Sequence, residues 1–561
     1  SAISIQSFSS ISVMKVLSKN LAESMKPLLT DEVIDEAFKV WPKELYDING
    51  DVIKAKLRAR RAKLADFAKE YYKYLAKEVE IWGTDKREKF VIERLNDEQT
   101  KVTIYAVNKK REEKAKIYER LFEKSQTNEI RLYGFQGEDE FIVKGDKAKG
   151  IKVRIIGGQD TDKVETQTTD GKAGKVLVYD TSQGNEVDWA AGFRNKTTIG
   201  NDANVYERKA FKLDNFLPLI LPGWNVDDGF VLGAGFVNTR HGFRKNPYKS
   251  KHSLLANYAF ATRALSGSYI WDQVGVFGKW DFLLGAKAFA PTHVRNYFGL
   301  GNGTTYTEEN DDNFNFNRLR QARVVINPNF KKSFSADRHT FRIGPVYDYN
   351  QIARTEGRFI SQDPERIDED FKPKHYAGVE ADLQIDAVDN KLLPRRGFRW
   401  NLNTSWKTDV GEGDNSFARL STELSLYHYT RKPVPIVWAT RVGYAGNFGD
   451  YDFFQANTLG RRTNLRGYRG ERFAGDAAFY HNTDVRIGLA NAKNYFIPME
   501  IGLIGFFDHG RVWLEGEDND DWHIGYGGGL LLSPYQTLVT TLTYSISEEF
   551  DIFEFRIGFY F

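Results

Sequence analysis

The feature that most constrains the fold is a two-residue alternation that recurs through residues 227–561 and leaves one face of each segment charged or strongly polar. In residues 378–386, for example, the odd positions are apolar, and four of the five even positions are Glu, Asp, Gln and Asp. Successive side chains of a strand point to opposite faces. A hydrophobic sandwich would bury these charges without partners, at a cost of several kcal/mol for each ion. A transmembrane β-barrel turns the charged face to a wet lumen and the apolar face to lipid, so the sequence predicts such a barrel.

The length of this region sets the expected number of strands. Residues 227–561 are 335 residues (561 − 226), and at roughly 20 residues per strand and connection they would form about 16 strands, an even number as expected. Polar insertions at 302–317 and 356–370 are expected to be loops on one rim, and the short connection 388–396 a turn on the other. The expected fold is mainly β, an antiparallel barrel of about 16 strands in the cell outer membrane.

Composition agrees with this expectation. Mean hydropathy is −0.51, and the longest apolar stretch, 216–224, is too short and too interrupted by proline to cross a bilayer as a helix. Cysteine is absent, which removes disulfides and thiolate chemistry and agrees with an oxidising periplasm. The chain begins at Ser1 rather than at a methionine, which predicts a mature form or a fragment.

The two ends of the barrel region are expected to meet at a seam. The last nine residues carry an apolar side chain at every odd position, so Phe559 and Phe561 are expected to face lipid on the last strand. Gly229, Gly233 and Gly235 are expected in the first strand. Because glycine weakens a strand, these three residues would loosen the seam.

The region before the barrel divides into three parts. Residues 1–125 are rich in Lys, Glu and Ala and are expected to be a helical connector in the periplasm, with a hairpin at 89–107 and further helix after it. Residues 126–205 show short strand and turn repeats, a small β-module, and 206–226 would link it to the barrel. The basic run at 56–63 is interpreted as a solvated helix face, because acidic residues follow and no aromatic residues interleave. No nucleic-acid partner is expected.

The small β-module contains two glycine and acidic segments, with Asp139 in the first and Asp160 and Asp162 in the second. Two interpretations remain open: one rung of a calcium-binding β-roll, or turns in which glycine supplies positive φ and aspartate caps the turn. Calcium is thus the one cofactor considered. The nine histidines are scattered, and no metal, hydrolase or phosphate-loop motif occurs. No catalytic residue is expected in the chain.

Two motifs within the barrel region carry a family resemblance. Residues 464–468 read Asn-Leu-Arg-Gly-Tyr, and residues 505–510 read Gly-Phe-Phe-Asp-His-Gly. Together with segments 296–302 and 386–397 and the terminal phenylalanine, they resemble, in order, the BamA/TamA type of outer-membrane assembly and translocation factors. The resemblance implies that a loop at 447–481 folds back into the lumen and that its arginine pairs with the aspartate of a barrel strand. The residues concerned are Leu465, Arg466, Gly467 and Tyr468 on the loop and Gly505, Asp508 and Gly510 on the strand.

The N-terminal region departs from that family. Members that insert or export proteins usually carry POTRA modules, and residues 1–125 show no such repeat. They look instead like the connector of relatives from the Bacteroidetes group, some of which place a metallophosphoesterase upstream. Any enzymatic domain would then lie before Ser1 or on a partner.

The resemblance implies insertion or translocation of proteins or lipids through a seam that opens sideways. The partners would be outer-membrane lipids and client or partner proteins of the membrane or periplasm. Two other functions stay open. One is a membrane anchor or scaffold for a periplasmic enzyme or partner complex. The other is a passive pore, against which a loop-filled lumen argues.

Overall fold

The computed structural model describes residues 22–145, 150–168, 172–200, 204–207, 212–225, 228–306, 316–335, 338–411, 413–461, 463–492, 497–535, 538–549 and 551–561. The chain forms two compact units, Ser1–Ala210 and Phe211–Phe561. Among the helices in these ranges, none has the length and apolar character needed to cross a membrane.

The first unit begins with three helices: α1 Asp31–Phe38, α2 Lys43–Ala62 and α3 Leu64–Leu75. Thr30 caps α1, because its hydroxyl accepts a hydrogen bond from the Val33 N–H at 3.2 Å. The last of these helices ends at Leu75, well before the expected limit at residue 125. The remainder of this unit is built from strands.

Eleven strands follow in the described part of this unit. They are β1 Glu78–Trp82, β2 Glu88–Arg94, β3 Gln99–Val107, β4 Glu113–Glu123, β5 Glu129–Phe135, β6 Glu140–Lys144, β7 Lys152–Gly158, β8 Lys163–Gln167, β9 Lys172–Tyr179, β10 Glu186–Val187 and β11 Ala191–Asn195. One sheet has the order β1-β5-β7-β9-β11, and the other has the order β10-β8-β6-β2-β3-β4. From β5 onward the chain alternates between the two sheets.

This alternation produces a short parallel β-solenoid. Lys163 pairs with Glu140 on one side and with Glu186 on the other, a period of 23 residues that the hydrogen bonds between coils repeat. The interior is apolar, and its stacked rings of Phe90 and Phe141 have centroids 4.6 Å apart. The expected β-module is therefore one part of a larger two-sheet structure.

The helix expected after the first hairpin is a strand, β4. Its partner is β3, and it forms the edge of its sheet. The first half of β4 is charged and exposed, whereas Phe122 near its end is fully buried. Lysine and glutamate on an edge strand discourage pairing with other chains. Because the same residues have a high helix propensity, the sequence of β4 predicted a helix.

The second unit is one antiparallel sheet that forms a nearly closed barrel of 16 strands, which confirms the expected fold. These are β12 Asn215–Asn225, β13 Gly229–Arg240, β14 Ser250–Ala259, β15 Ala264–Phe277, β16 Trp280–Phe289, β18 Arg318–Phe334, β19 His339–Ala353, β20 Lys374–Val388, β21 Gly397–Asp409, β22 Ser416–Thr430, β23 Ile436–Gly449, β26 Ala477–Ala492, β27 Met499–Trp513, β28 His523–Pro534, β29 Thr540–Ile546 and β30 Asp551–Ile557. Three short strands lie in its loops: β17 Val294–Asn296, β24 Asn457–Leu459 and β25 Phe473–Gly475.

The alternation in 378–386 follows the expected pattern in β20. Val379 is 49% exposed on the outer face. Glu380, on the opposite face, accepts hydrogen bonds from the side-chain amides of Asn327 at 3.1 Å and Asn403 at 3.0 Å. The charged face is thus satisfied by polar groups of neighbouring strands.

The barrel begins earlier than expected, because β12 lies in the segment interpreted as a linker. Pro218 and Pro222 interrupt this segment and made it look unsuited to a strand. Proline is tolerated where a strand forms the edge of a sheet, and β12 pairs only with β13 among the described strands. Gly229, Gly233 and Gly235 therefore belong to the second strand, β13, and not to the first.

Long connections gather at one rim of the barrel. The segments between β16 and β18, between β19 and β20, and between β23 and β26 leave the same end of the sheet, whereas residues 389–396 form a turn at the other end. Of the loop expected at 302–317, residues 307–315 lie outside the described residues.

Strands β12 and β30 lie side by side, but the described residues include no backbone ladder between them. Strand β30 exposes Phe553, Phe555 and Ile557 on its outer face. After it, Gly558 has φ +107° and the chain leaves the strand. The expectation that Phe559 and Phe561 continue the lipid-facing row is wrong, because this turn directs them toward arginines of the lumen.

Candidate functional site in the barrel lumen

Residues 450–476, here called the lumen loop, connect β23 to β26 and fold into the barrel. The short strands β24 and β25 pair to form its base. Leu465 and Tyr468 at the tip are fully buried, and they belong to an apolar cluster that includes Phe473 of the loop and Val512 of β27. The tip is therefore anchored by a small core inside the barrel.

Arg466 at the loop tip is held by two carboxylates of the barrel wall. Its guanidinium donates from Nε and Nη2 to the two oxygens of Asp508 on β27, both at 2.6 Å, and from Nη2 to Oδ1 of Asp484 on β26 at 2.9 Å. The Arg466 backbone N–H also donates to Asp508 Oδ2 at 3.0 Å. Both carboxylates are fully buried and the arginine side chain is 4% exposed. A bidentate charge-assisted contact of this kind fixes orientation as well as position.

Aromatic rings complete the surroundings of the Arg466 guanidinium. Its Cζ lies 3.8 Å from the ring centre of Phe506 on β27 and 4.5 Å from that of Tyr560. Such cation–π contacts add stabilisation in sites from which water is excluded. The guanidinium of Arg466 is thus paired with two carboxylates, lies against two aromatic rings and is buried from solvent.

The wall also binds the main chain of the loop tip. Arg441 on β23 donates to the carbonyl of Thr463 at 2.8 Å and to the side-chain oxygen of Asn482 at 2.7 Å. The amide of Asn482 donates to the carbonyl of Asn464 at 2.8 Å. Buried backbone carbonyls on both sides of the turn are therefore satisfied by the wall.

Two glycines allow the loop to approach the wall so closely. Gly467 has φ +91°, a conformation that side-chain-bearing residues rarely adopt. On β28, a Cβ at Gly525 would lie 1.8 Å from the carbonyl oxygen of Arg466. Of the glycines expected at the site, Gly510 packs near Leu459 and Phe479, whereas a Cβ at Gly505 would meet nothing within 4 Å.

The last four residues, 558–561, form a C-terminal tail. The ring of Tyr560 in this tail lies against Arg441 and Arg466. The hydroxyl of Tyr560 donates to the carbonyl of Arg461 in the lumen loop at 2.9 Å. Arg486 on β26 lies 3.8 Å from the ring centre of Phe559 and donates to the Phe561 carbonyl at 3.1 Å. The tail therefore contacts both the loop and the wall.

A second arginine ties the loop to the rim. Arg472 makes a bidentate contact with Glu549 at 2.7–3.0 Å and donates to the hydroxyl of Thr304 at 2.7 Å. In the segment that includes Thr304, the amide of Asn302 donates to the carbonyl of Val512 at 2.8 Å. The segment 296–302 is thus joined to the wall beside the loop.

Sequence reasoning missed several residues that hold the loop tip: Asp484, Arg441, Asn482, Gly525 and Tyr560. A signal for Asp484 was present, because Asn482, Asp484 and Arg486 occupy alternate positions and form a polar face of β26. Gly525 and Tyr560 gave no comparable signal, since their role depends on where the loop and the tail come to rest.

The glycines expected at the seam serve another contact. In β13 Gly235 lies opposite Leu255, and a Cβ there would be 2.0 Å from the carbonyl oxygen of Leu254. A Cβ at Gly233 would be 2.7 Å from the side-chain oxygen of Asn257. Gly229 has φ +65° at the beginning of the strand. Close approach of β14 therefore accounts for Gly233 and Gly235.

The aspartates considered as calcium ligands form part of a ladder between solenoid coils. Asp139 accepts a hydrogen bond from the Glu88 N–H, Asp162 from the Asp139 N–H, and Asn185 from the Asp162 N–H, at 2.7–2.8 Å. Asp160 accepts from the Gly137 N–H at 2.7 Å. In the described ranges, no group of three or more His, Cys, Asp or Glu side chains is placed to hold a metal ion. The hydrogen bonds fit the turn interpretation.

Burial in the solenoid shifts the pKa values of these carboxyls. Burial, and then the charge of Asp162, raises the pKa of Asp139 to about 10. Burial raises the pKa of Asp162 as well, with the charge of Asp180 adding to the effect. Both shifts have the same cause, because the carboxyls stack on one another in the solenoid interior, away from water.

In the described ranges, sixteen antiparallel strands surround a lumen that holds a folded loop, which defines an outer-membrane β-barrel. A model of the Omp85 superfamily domain matches residues 277–561, and the chain belongs to this superfamily. Members of the superfamily are generally non-enzymatic transport or assembly barrels.

Solved structures with a similar fold include BamA from Haemophilus ducreyi lacking POTRA domains 1–3, which is 13% identical. That match covers 62% of this chain and 70% of that one with a TM-score of 0.44. CdiB from Escherichia coli is 11% identical, with 67% and 64% covered and a TM-score of 0.38, and CdiB from Acinetobacter baumannii is 13% identical, with 62% and 59% covered and a TM-score of 0.38. This chain thus spans less than two thirds of either CdiB structure. A search of curated proteins gives no match.

Proposed function

We propose that this protein aids insertion or translocation of proteins or lipids at the outer membrane, and that it does so by opening sideways between β12 and β30. In this proposal the N-terminal unit lies in the periplasm and binds client or partner proteins. An incoming strand would pair with the edge that opening exposes, a form of β-augmentation.

The observation that carries the proposal is the weak seam. Neighbouring long strands elsewhere in the barrel are joined by ladders, for instance over 15 residue pairs between β26 and β27. Strands β29 and β30 are only 7 residues long, and in the described ranges no ladder joins β30 to β12. Opening at this point would break fewer hydrogen bonds than at any joined pair.

Two features keep the seam weak. Pro218 and Pro222 are four residues apart in β12, so their nitrogens turn to the same edge, and neither can donate a hydrogen bond. Because sheets tolerate proline where its nitrogen faces an unpaired edge, these missing donors belong on the seam side. The turn at Gly558 also removes the tail from the row that could pair with β12.

A disulfide across the seam tests the proposal. The chain contains no cysteine, so cysteine pairs can be introduced along β12 and β30 without background. Oxidation should block insertion of a radiolabelled outer-membrane barrel client into vesicles that contain the protein, and reduction should restore it. A matched control places cysteines at Leu402 and Thr422, which oppose each other on β21 and β22; closing that pair should leave insertion unchanged. Full activity with the seam oxidised would overturn lateral opening.

A second candidate function is that of a membrane anchor or scaffold. It is favoured by the N-terminal solenoid, which has an apolar core of its own and forms a separate compact unit. It would also suit a Bacteroidetes-type arrangement with a metallophosphoesterase upstream. Deleting residues 1–210 separates the two candidates. If the protein is a scaffold, the deletion variant should lose its partner, and neither the whole protein nor the variant should insert a client into vesicles.

A further inference from the structure

We propose that the barrel lumen contains a binding site for a phosphate-sized oxyanion, between the lumen loop and the wall formed by β18, β19, β21 and β22. A cavity of about 150 Å³ lies there, large enough for such an ion together with water. The loop contributes residues 454–456 and Thr458 to its lining, and the wall contributes the charged side chains.

Positive charge dominates the lining. Four basic residues and one carboxylate face the cavity: Arg295, Arg323, Lys407, Arg419 and Asp348. Asp348 is already shared, because Arg323 binds both of its oxygens at 2.8–2.9 Å and Lys407 donates to it at 2.9 Å. One carboxylate therefore serves two cations.

Carboxylates nearby do not balance the remaining charge. Glu471, which does not line the cavity, binds Arg295 at 3.0 Å. Glu380 lies opposite Ser405 of the cavity lining and accepts its hydrogen bonds from asparagine amides. Even with both counted, three carboxylates face four cations. An excess of positive charge in a partly enclosed cavity attracts an ion of opposite sign.

Two donors at the cavity lack acceptors. Arg419 makes no hydrogen bond or ion pair with any residue that the structure describes. The side-chain nitrogen of Gln455 is buried and, across the same ranges, has no hydrogen-bond partner, whereas its oxygen accepts from the Asp452 N–H at 3.0 Å. A buried donor without a partner, such as the Gln455 amide, calls for a bound group that accepts hydrogen bonds, an ion or a water. The Arg419 guanidinium is only half-buried and offers its donors to the same cavity.

The chemistry of these donors selects the ligand. A guanidinium presents a planar fork that matches phosphate and sulfate oxygens, and an amide N–H adds a third direction. The cavity has no room for acyl chains, so the free ion fits it better than the headgroup of an intact lipid. An ion bound here would contact loop and wall together and would hold the lumen loop in place.

Equilibrium dialysis of the full-length protein in detergent micelles, with radiolabelled inorganic phosphate at constant ionic strength, tests the site. We expect about one phosphate per chain, displaced by sulfate. Arg419→Gln should raise the dissociation constant about tenfold or more, because a charge-assisted contact is lost, and Arg419→Lys should raise it less. Arg342→Gln, which breaks an ion pair with Asp382 away from the cavity, is the matched control and should bind as the wild type does.

A second variant keeps the test valid if Arg419→Gln does not fold, as judged by the electrophoretic mobility shift of a folded barrel. Ser405→Met fills the cavity without removing a charge and should also abolish binding. Competition by a short-chain phosphatidic acid would identify a lipid headgroup as the source of the phosphate, and this outcome would overturn the free-ion assignment. Absence of saturable phosphate binding to the folded wild type, or wild-type binding by Ser405→Met, would overturn the site itself.

Discussion

Arg466 is the residue on which the position of the lumen loop depends most, since it brings one cation between two carboxylates that water does not reach. Arg466→Ala would leave the buried Asp508 without its cation, whereas Asp484 would keep Arg486 at 2.9 Å. Removing one partner from a buried ion pair costs about 3–5 kcal/mol, so we expect the thermal unfolding midpoint in detergent to fall clearly. Proteolysis of the loop should become faster.

The control for this variant is an ion pair of the same kind that is open to water. Arg342 lies 3.2 Å from Asp382 and its side chain is 38% exposed. Arg342→Ala should cost about 0–1 kcal/mol, the usual range for solvated pairs. Equal losses for the two variants would show that burial gives the Arg466 contacts no special weight.

Gly525 tests whether loop and wall must touch. Gly525→Ala would place a methyl group 1.8 Å from the Arg466 carbonyl oxygen, whereas Gly505→Ala on the adjacent strand adds one in open space. Overpacking of this kind typically costs about 1–3 kcal/mol. We therefore expect loop release, seen by limited proteolysis, for the alanine at 525 and none for the alanine at 505. A loop equally protected in both variants would contradict the close approach.

At the scale of elements, the solenoid carries buried carboxyls that make its stability depend on pH. The pKa of Asp139 rises from 3.8 to about 10 in the folded chain. Between these values the folded state keeps a proton that the unfolded state releases. The contribution of Asp139 to the free energy of unfolding is therefore fully present below about pH 4 and is lost as the pH rises toward 10. Each pH unit in this window costs up to about 1.4 kcal/mol for this proton.

Asp139→Asn should weaken this dependence, and the remainder would come from Asp162 and Asp180, whose pKa values burial also raises. Asn185 occupies the same position two coils further on and accepts the same backbone hydrogen bond, so asparagine suits the ladder. In the full-length protein, unfolding of the N-terminal unit followed by circular dichroism should show a higher midpoint for the variant at pH 8 and a flatter pH profile. Asp97→Asn, in an exposed turn, should follow the wild type. A wild-type unit that gains stability between pH 5 and 9 would contradict the assignment.

The elements also show how much of the fold the sequence could predict. Alternation of apolar and charged residues identified barrel strands such as β20, because a lumen and a lipid surface impose opposite chemistry on alternate residues. The same rule failed for β12, where two prolines are tolerated only because the strand is an edge. It failed again for the tail, where the positive φ of Gly558 ends a strand that its residues would continue.

The site was predictable only where a motif carried it. Arg466 and Asp508 were paired through the family resemblance, and their contacts are present in the structure. Tyr560 and Gly525 were not found, because a long-range contact leaves no local pattern. The 23-residue period of the solenoid was also missed, since only two of its coils share acidic residues.

For the whole molecule, the decisive property is that the lumen is occupied. Loop, tail and wall meet at Arg466 through buried ion pairs and ring contacts, and Thr304 of a further loop segment binds Arg472. An occupied lumen does not suit a passive pore. We predict that the purified protein in planar bilayers shows little steady conductance at moderate voltage. Arg466→Ala should add larger, fluctuating openings because the loop leaves the lumen for part of the time, whereas Arg342→Ala should not. A steady, ohmic wild-type conductance unaffected by Arg466→Ala would favour the pore instead, since ions would then cross the barrel along a path that the loop does not block.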